Sequence, residues 1–272
     1  MDVSTVFGLI IGIVALLVGM VMKGVALGSL FNVAAILIII MGTIASVVIA
    51  FPMNELKRVP KLFGVIFKEQ KLASDADIIR MFSGWADVAR REGLLSLEAK
   101  TDEIQDPFLK NGLGLAVDGQ NADYIRDVLS EEVDAMEERH SAGSLIFSQA
   151  GTYAPTLGVL GAVIGLIAAL NNMNDIDALG AAIAAAFVAT LLGIFTGYVL
   201  WHPFANKLKR KSADEVRQKK MMVEGILSVL EGEAPRVIEQ KLASYLSANE
   251  RLKLNAKNDD GKKEASRFAE ET

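Results

Sequence analysis

Long uncharged apolar runs alternate with charged segments along this chain. Two runs lie near the amino terminus, at 3–22 and 33–51, and two more lie within residues 141–202. About 20 helical residues, at about 1.5 Å each, cross the roughly 30 Å hydrocarbon core of a bilayer. The pattern therefore predicts four membrane-spanning helices. A secretory signal peptide is the competing interpretation of 3–22, but acidic Asp2 precedes this run and no basic segment does.

The second pair of apolar runs is separated by a short polar break. Between Arg139 and Lys207 the only formal charges are Asp175 and Asp177, and both lie in the sequence NNMNDID. Each run on either side of this break is long enough to span a membrane. The pattern predicts two spanning helices joined by a tight turn.

Small residues recur at spacings of four and three in this second pair, which places them on one side of each helix. They let helix backbones approach closely, so these sides should face protein rather than lipid. Proline lacks an amide hydrogen and crowds the carbonyl four residues earlier, so we expect a kink at Pro155, although membrane helices also tolerate prolines. The stripes are Gly151, Pro155, Gly158, Ala162, Gly165 and Ala169, then Ala186, Thr190, Gly193 and Gly197. The first two spans are rich in Leu, Ile and Val, which favours a position outside the second pair, against lipid.

The polar segments are also predicted to be helical. Apolar positions at a spacing of 3.6 residues predict a helix from Asp75 to a stop at Gly93, and LLSLE at 94–98 continues the pattern. A helix at 121–140 runs on into the third span, because no proline or glycine interrupts it before Gly143. One side of this helix is predicted to hold Ile125, Val128, Leu129, Glu132 and Met136, and the helix is otherwise strongly acidic.

Basic residues are distributed unequally between the two sides of the predicted membrane. The loops after the first and third spans hold only Lys23, Asp175 and Asp177, whereas many basic residues follow the second and fourth spans. The positive-inside rule therefore predicts that both termini and the large loop are cytoplasmic. The basic residues are Lys57, Arg58, Lys61, Lys68 and Lys71, then Lys207, Lys209, Arg210 and Lys211.

The predicted fold is all-α: a polytopic membrane protein with four transmembrane helices, a large cytoplasmic helical loop and a helical carboxy-terminal tail. The carboxy-terminal residues are charged and nearly devoid of large apolar groups, which is typical of disorder. The predicted domains are helices one and two at 1–52, a cytoplasmic helical domain at 53–140, helices three and four at 141–203, cytoplasmic helices at 204–254 and a disordered tail at 255–272.

Composition excludes several classes of function. A net charge of -5 argues against nucleic acid as a partner, and the absence of cysteine excludes disulfides, thiolate metal sites and thiol nucleophiles. His140 and His202 are the only histidines and are too far apart for a metal motif. No catalytic constellation and no phosphate-binding glycine motif is present. We therefore expect no enzyme activity, no metal and no cofactor.

The predicted spans lack the groups with which membrane proteins usually bind ions. No Asp, Glu, Lys or Arg lies at depth, so a carboxylate relay within this chain alone is excluded. The remaining polar groups are hydroxyls, and a threonine in a helix commonly donates to a carbonyl three or four residues back. Thr190 is expected to be an exception to this hydrogen-bonding pattern, because it lies on a small-residue stripe that faces protein. Any ion path would need an acid from a partner.

Four stretches carry a family likeness: AGTYAPTLGVLGAVIGLIAAL, AAFVATLLGIFTGYVLWHPFANKLKRKS, ARREGLLSLE and EGEAPRVIEQKL. In combination they closely resemble the MotA-type flagellar stator subunits of the MotA/TolQ/ExbB superfamily, over nearly the whole chain to about residue 250. The resemblance implies a pentameric ring around a dimer of a single-span MotB-type partner. In the family, that partner's membrane aspartate binds the translocated ion, and its periplasmic domain grips peptidoglycan.

The resemblance also implies roles for particular residues. Pro155 matches a proline coupled to ion passage, and Pro203 matches the proline at the inner end of the fourth span. Arg90 and Glu98 match loop charges that engage the rotor protein FliG, although by themselves they would be read as a solvated helix face. Ala162 and Thr190 match positions that line the channel, and together with the hydroxyls already noted the predicted lining is Thr190, Ala162, Tyr198 and Thr156.

The implied function is conversion of an ion-motive force into torque on a flagellar rotor. Protons are the expected ion, because the sequence resembles proton-type subunits more than the sodium-type PomA or MotP. A sodium-driven stator is the first alternative. A TolQ- or ExbB-type energiser is the second, but those subunits have three spans. A membrane scaffold without ion transport would account for the small-residue packing, but not for the coincidence of hydroxyls, a hinge proline and no acid.

Overall fold

The computed structural model describes residues 2–70, 72–171 and 175–252, and the predicted disordered tail at 255–272 lies outside them. The described residues contain helices and turns and no strand, which confirms the all-α prediction. The helices are α1 (Val3–Met22), α2 (Val33–Ala50), α3 (Met53–Leu56), α4 (Val59–Phe67), α5 (Asp75–Glu92), α6 (Glu98–Glu103), α7 (Pro107–Val117), α8 (Ala122–Leu170), α9 (Ile176–Phe195), α10 (His202–Leu230) and α11 (Pro235–Leu242). A π-helical segment, Thr196–Trp201, connects α9 to α10.

Four helices of the described chain are long and apolar enough to cross a membrane, as the sequence predicts. The first span coincides with α1, and the second ends at Ala50, one residue before the predicted end. The third span is the later part of α8, a 49-residue helix that begins in the polar loop, so the predicted continuity is confirmed. Asp175 caps α9 by accepting from the amides of Asp177 and Ala178 at 3.1 and 3.0 Å, which explains why the fourth span begins there.

The described residues form two compact units. The membrane unit lies within Met1–Gln70 and Glu138–Ser212, and the loop unit lies within Lys71–Glu137 and Ala213–Thr272. Helices α8 and α10 contribute residues to both. The four spans and α4 belong to the membrane unit, whereas α5, α6, α7 and α11 belong to the loop unit.

Aromatic packing holds α4 in the membrane unit. The ring of Phe63 lies edge-on at 5.2 Å from Phe147 of α8 and at 6.3 Å from Phe204 of α10. Phe67 makes a similar contact with Phe204 at 5.6 Å, and Ile66 is fully buried beside these rings. Each edge-to-face pair of this kind stabilises the fold by about 0.5–1.5 kcal/mol beyond the contribution of its buried apolar area.

An ionic cluster, which we call the N-terminal clasp, ties the start of α1 to α4 and α10. It consists of Asp2, Lys207 and Lys211. The Lys207 ammonium lies 2.9 Å from a carboxylate oxygen of Asp2, and that of Lys211 lies 3.2 Å away. Lys211 is only 8% exposed and also donates to the carbonyls of Val65 and Lys68 at 2.7 and 2.6 Å. The hydrogen bond from Lys207 is the largest influence on Asp2; with those from Ser4 and Lys211, it holds the carboxyl pKa well below its usual range despite burial.

Substitution of Lys211 by methionine should destabilise the membrane unit. The change removes the donor to two carbonyls near the end of α4 and to the Asp2 carboxylate, and each buried acceptor left unpaired costs about 1–3 kcal/mol. We expect a clearly lower thermal midpoint for the detergent-solubilised protein. Lys209 is exposed in the same helix, so Lys209→Met is the matched control and should shift the midpoint little. Equal midpoints for the two variants would contradict a structural role for the clasp.

The core of the loop unit forms around Phe82, which is fully buried. A Cβ atom on Gly225 would lie 2.6 Å from the Phe82 ring, so the ring packs directly on the backbone of α10. Asp75 fixes the start of α5 by accepting from Arg217 at 2.7 Å and from Gln218 at 3.0 Å. These contacts place α5 firmly against α10.

A second set of charges joins α11 to α10 in the loop unit. The Lys241 ammonium lies 2.5 Å from Glu224 and 3.5 Å from Glu233. Burial opposes the charge of Lys241, but the two carboxylates outweigh it and raise its pKa above the ordinary value of 10.5. Partial burial, and to a smaller extent the Glu224 carboxylate, raise the pKa of Tyr245.

The structure differs from the sequence pattern in two places in the loop unit. On α8, Glu132 shares a side with Ile125 and Leu129 but is exposed and accepts from Asn111 at 3.4 Å, whereas its neighbour Val133 is buried, at 2% exposure. Residues 94–98 do not continue the helical pattern of α5. Gly93 adopts φ +87°, and Leu94–Leu97 form a 3-10 turn before α6 begins.

Candidate functional sites

The small-residue stripes of α8 and α9 meet at a close backbone contact. A Cβ atom on Gly158 would lie 2.9 Å from both the Ala189 carbonyl oxygen and the Gly193 Cα atom. A Cβ atom on Gly193 would lie 2.8 Å from the Ala154 carbonyl oxygen and the Gly158 Cα atom. The obstructing atoms belong to the backbone, so rotation of a side chain cannot make room. Within this chain, the predicted contact with protein is therefore a contact between the two helices.

Pro155 lies opposite the π-helical segment in this contact. A Cβ atom on Gly197 would lie 2.7 Å from the Pro155 ring and 2.8 Å from the Gly151 carbonyl oxygen. This carbonyl is the one that proline cannot bond, since it lies four residues earlier. Helix α8 continues through Pro155, and a kink there stays a prediction. Two departures from regular α-helix thus coincide, one on each side of the contact, and such departures are common points of bending.

The hydroxyls of the second helix pair bond to their own helices. Thr156 donates to the carbonyls of Tyr153 and Thr152 at 2.7 and 3.2 Å. Thr190 is half-buried and donates to the Ala186 carbonyl at 3.3 Å, so the expectation that it departs from this habit is wrong. With the hydroxyl hydrogen engaged, the oxygen of each threonine remains available only as an acceptor. Such side chains can accept from an ion's hydration shell but offer no acid.

The other two predicted lining residues have different surroundings. Ala162 is half-buried on the α8 stripe. Tyr198 is 64% exposed, its ring lies 5.3 Å from that of His202, and it lines an open cavity of about 380 Å³ together with the start of α1. Pro203 is exposed in the first turn of α10 and lines the same cavity. This cavity was not predicted, because the residues that line it, 4–9 and 198–207, are far apart in the sequence.

Arg90 and Glu98 lie on either side of a turn in the loop unit. Arg90 is in the last turn of α5 and Glu98 is in the first turn of α6, and both are exposed. Neither forms an ion pair with another described residue, whereas neighbouring Arg91 pairs with Asp87 at 3.0 Å. A basic residue at a helix carboxyl end and an acidic one at an amino end are each favoured by the helix dipole. Their charges remain available to a partner.

Comparison with known proteins places this arrangement in a family. Residues 100–221 match a family model described as the MotA/TolQ/ExbB proton channel family. The chain is 66% identical over 254 residues to Motility protein A of Bacillus subtilis strain 168, covering 93% of this chain and 94% of that protein. The alignment therefore leaves only short parts of either chain unmatched.

Solved structures give the same result for the fold. A chain of the flagellar MotAB stator complex from Bacillus subtilis superposes with a TM-score of 0.89 at 66% identity, covering 93% of this chain and 99% of that one. A chain of C. jejuni MotAB gives a TM-score of 0.87 at 32% identity, covering 91% and 97%. The four spans and the loop unit of this chain thus form the same fold as these solved structures. The chain belongs to the MotA/TolQ/ExbB proton channel family, as a MotA-type stator subunit.

Proposed function

We propose that this chain assembles with a MotB-type partner into an ion channel that converts an ion-motive force into torque on a flagellar rotor. The observation that carries the proposal is the composition of the close-packed α8 and α9 pair. The Thr156 and Thr190 hydroxyls are already bonded to their own helices. Among the described residues of α8 after Glu138 and of α9, the only acid is Asp177, which lies in the exposed first turn of α9. The stator complexes with similar chains contain a MotB partner.

The partner supplies the ion-binding acid in this proposal. An ion crossing a bilayer needs an ionisable group or a set of oxygen ligands at depth, and none of the spans provides a carboxylate there. The single-span partner contributes a membrane aspartate as a dimer, and several copies of this chain surround it as a ring, pentameric by family resemblance. The exposed Leu, Ile and Val side chains of α1 and α2 then suit the lipid-facing side.

The channel lies between the ring and the partner's aspartate. Thr190 and Ala162 line it, with Thr190 near the aspartate. Thr156 of α8 and Tyr198 of the π-helical segment extend the lining. The threonine oxygens act as acceptors for water or a hydrated ion. Pro155 and Pro203 couple ion passage to movement, since Pro155 meets the π-helical segment where the helix ladder is already interrupted.

The work comes from the electrochemical gradient. One charge crossing a potential of 100 mV releases about 2.3 kcal/mol. Binding and release of the ion change the preferred register of α8 and α9 against the partner, so that the ring steps around it. We assign the chain no catalytic reaction, no cofactor, no metal and no nucleic acid; its role is to transport ions and transmit force.

The loop unit transmits the force to the rotor. Arg90 and Glu98 are exposed, carry opposite charges and lack partners among the described residues. Charges arranged in this way steer and orient a complementary surface rather than stabilise the isolated subunit. The rotor protein FliG is the proposed partner.

In this proposal the chain crosses the cell (cytoplasmic) membrane several times, and both termini lie on the cytoplasmic side. The N-terminal clasp puts Asp2 on the same side as the lysines at the start of α10. Those lysines and the basic residues after α2 are the ones that the positive-inside rule assigns to the cytoplasm. Four spans then return the chain to the side on which it started.

Protons are the proposed ion. The family is described as a proton channel family, and sodium is the alternative. A TolQ- or ExbB-type energiser is less well supported, because the similar chains belong to flagellar MotAB stators.

Reconstitution into liposomes tests the proposed division of labour. The complex with its partner, with any channel-closing segment of the partner removed, should acidify or alkalinise the lumen in response to an imposed potential. This chain alone should not, since it offers no carboxylate at depth. The control is a complex in which the partner's aspartate is changed to asparagine, and it should show no proton flux. Equal proton flux from the chain alone would contradict the proposal.

A further inference from the structure

Leu95 is the most exposed large apolar residue among the described residues of the loop unit. Its exposure is 69%, compared with 68% for Leu252 at the end of the described chain and 48% for Tyr124 and Val237. Single exposed leucines are common on protein surfaces. Leu95 differs because it lies in the turn between Arg90 and Glu98, the two charges proposed to contact the rotor.

The local structure holds Leu95 outward in a fixed position. Gly93 ends α5 at φ +87° and donates to the Ala89 carbonyl at 2.9 Å. Ser96 then bonds back to the Gly93 carbonyl through both its amide, at 3.2 Å, and its hydroxyl, at 2.6 Å. The turn is therefore closed by three hydrogen bonds around a single glycine.

The residues on both sides of Leu95 anchor the turn to the core. Leu97 is fully buried, and Leu94 packs partly against the same core. Leu95 alone of these three leucines faces solvent. Because the backbone of the turn is already ordered, a partner that covers Leu95 does not need to order the turn, which favours binding.

Protein interfaces commonly have an apolar centre and a polar border, and the largest binding contributions come from the centre. Here the border carries Arg90 on one side and Glu98 on the other. We propose that Leu95 is the apolar anchor of the rotor-contacting surface. Its partner would be a rotor surface with an apolar pocket, flanked by an acidic group facing Arg90 and a basic group facing Glu98. This inference rests on the proposed function.

Substitution of Leu95 by serine tests the anchor. In a strain that relies on this stator, swimming in viscous medium should slow at least about twofold, because loss of a hot-spot side chain commonly weakens binding tenfold or more. Proton flux in liposomes and the amount of protein in the membrane should match the unchanged chain. Leu95→Met, which keeps an apolar side chain, should swim normally. Val237→Ser, which removes another exposed apolar side chain from the same unit, should also swim normally.

Several outcomes separate the anchor from the wider proposal. Normal swimming by Leu95→Ser, with impaired swimming after reversal of Arg90 and Glu98, would overturn the anchor alone. Normal swimming by both would overturn the docking surface itself. If Leu95→Ser reduced the amount of protein, Leu95→Gln would replace it. A reduction of flux by both polar variants would show that Leu95 acts within the subunit and would also overturn the anchor.

Discussion

Replacement of Arg90 by glutamate together with Glu98 by lysine should nearly abolish swimming while the complex still assembles and conducts protons. Both side chains are exposed and have no ion-pair partner among the described residues, so their reversal removes no contact that is seen within the subunit. Opposite charges at about 4 Å attract by about 1 kcal/mol in water and by about 4 kcal/mol at a partly shielded interface, and reversal turns this attraction into repulsion.

The measurement is swimming speed, with membrane level and liposome proton flux as readouts of assembly. Arg91 is the matched control for Arg90, since it is exposed in the same turn but already paired with Asp87 at 3.0 Å. Arg91→Gln should swim nearly normally. Loss of the double variant from the membrane would instead show that these charges serve folding, through the helix dipoles.

Replacement of Gly193 by alanine should prevent normal packing of the α8 and α9 pair. The added Cβ atom would lie 2.8 Å from the Ala154 carbonyl oxygen and from the Gly158 Cα atom, so the helices must separate. Overpacking of this kind costs about 1–3 kcal/mol, and the separation would also alter the proposed channel. We expect a lower yield of solubilised complex, a lower thermal midpoint and little or no motility.

Gly19 provides the control for this substitution. It lies in α1, another span, and a Cβ atom there would meet no atom within 4 Å. Gly19→Ala should therefore assemble normally, and helix propensity favours it slightly. A Gly193→Ala protein as stable and as active as Gly19→Ala would show that the close contact seen between the helices is not required.

Local periodicity in the sequence was sufficient to predict most helices. The uncharged runs predicted α1, α2 and α9 to within a few residues. The absence of proline and glycine before Gly143 predicted that the loop helix runs on into the third span as α8. The start of α5 at Asp75 and its end before Gly93 were also predicted. These features depend on neighbours along the chain, which is why the sequence alone reveals them.

Features that depend on distant residues were not predictable. The burial of Lys211 requires two carbonyls near the end of α4 and the carboxylate of Asp2, and nothing local identifies these as its partners. The π-helical segment after α9 also depends on a distant residue, since its Gly197 packs on Pro155 of α8. On α8, Val133 is buried while Glu132, which the periodicity groups with the apolar residues, is exposed; periodicity therefore locates a buried helix side only to within about one residue.

The sequence identified which residues to consider for the candidate sites, but not their contacts or exposure. The absence of a carboxylate at depth follows from composition alone, whereas the roles of Arg90, Glu98 and Thr190 came from the family resemblance. The structure adds that Thr190 is bonded to Ala186 at 3.3 Å and that Leu95 is exposed between the two charges. Neither observation can be made from residue spacing.

The most direct test of ion-driven torque is swimming speed in a strain without its own stators that expresses this chain with its matching partner. Speed is measured against external sodium at constant pH, and again with a protonophore. The account predicts restored swimming that does not depend on sodium and stops when the protonophore is added. Dependence on sodium would contradict the proton assignment, and no restored swimming with the matching partner would contradict the stator function itself.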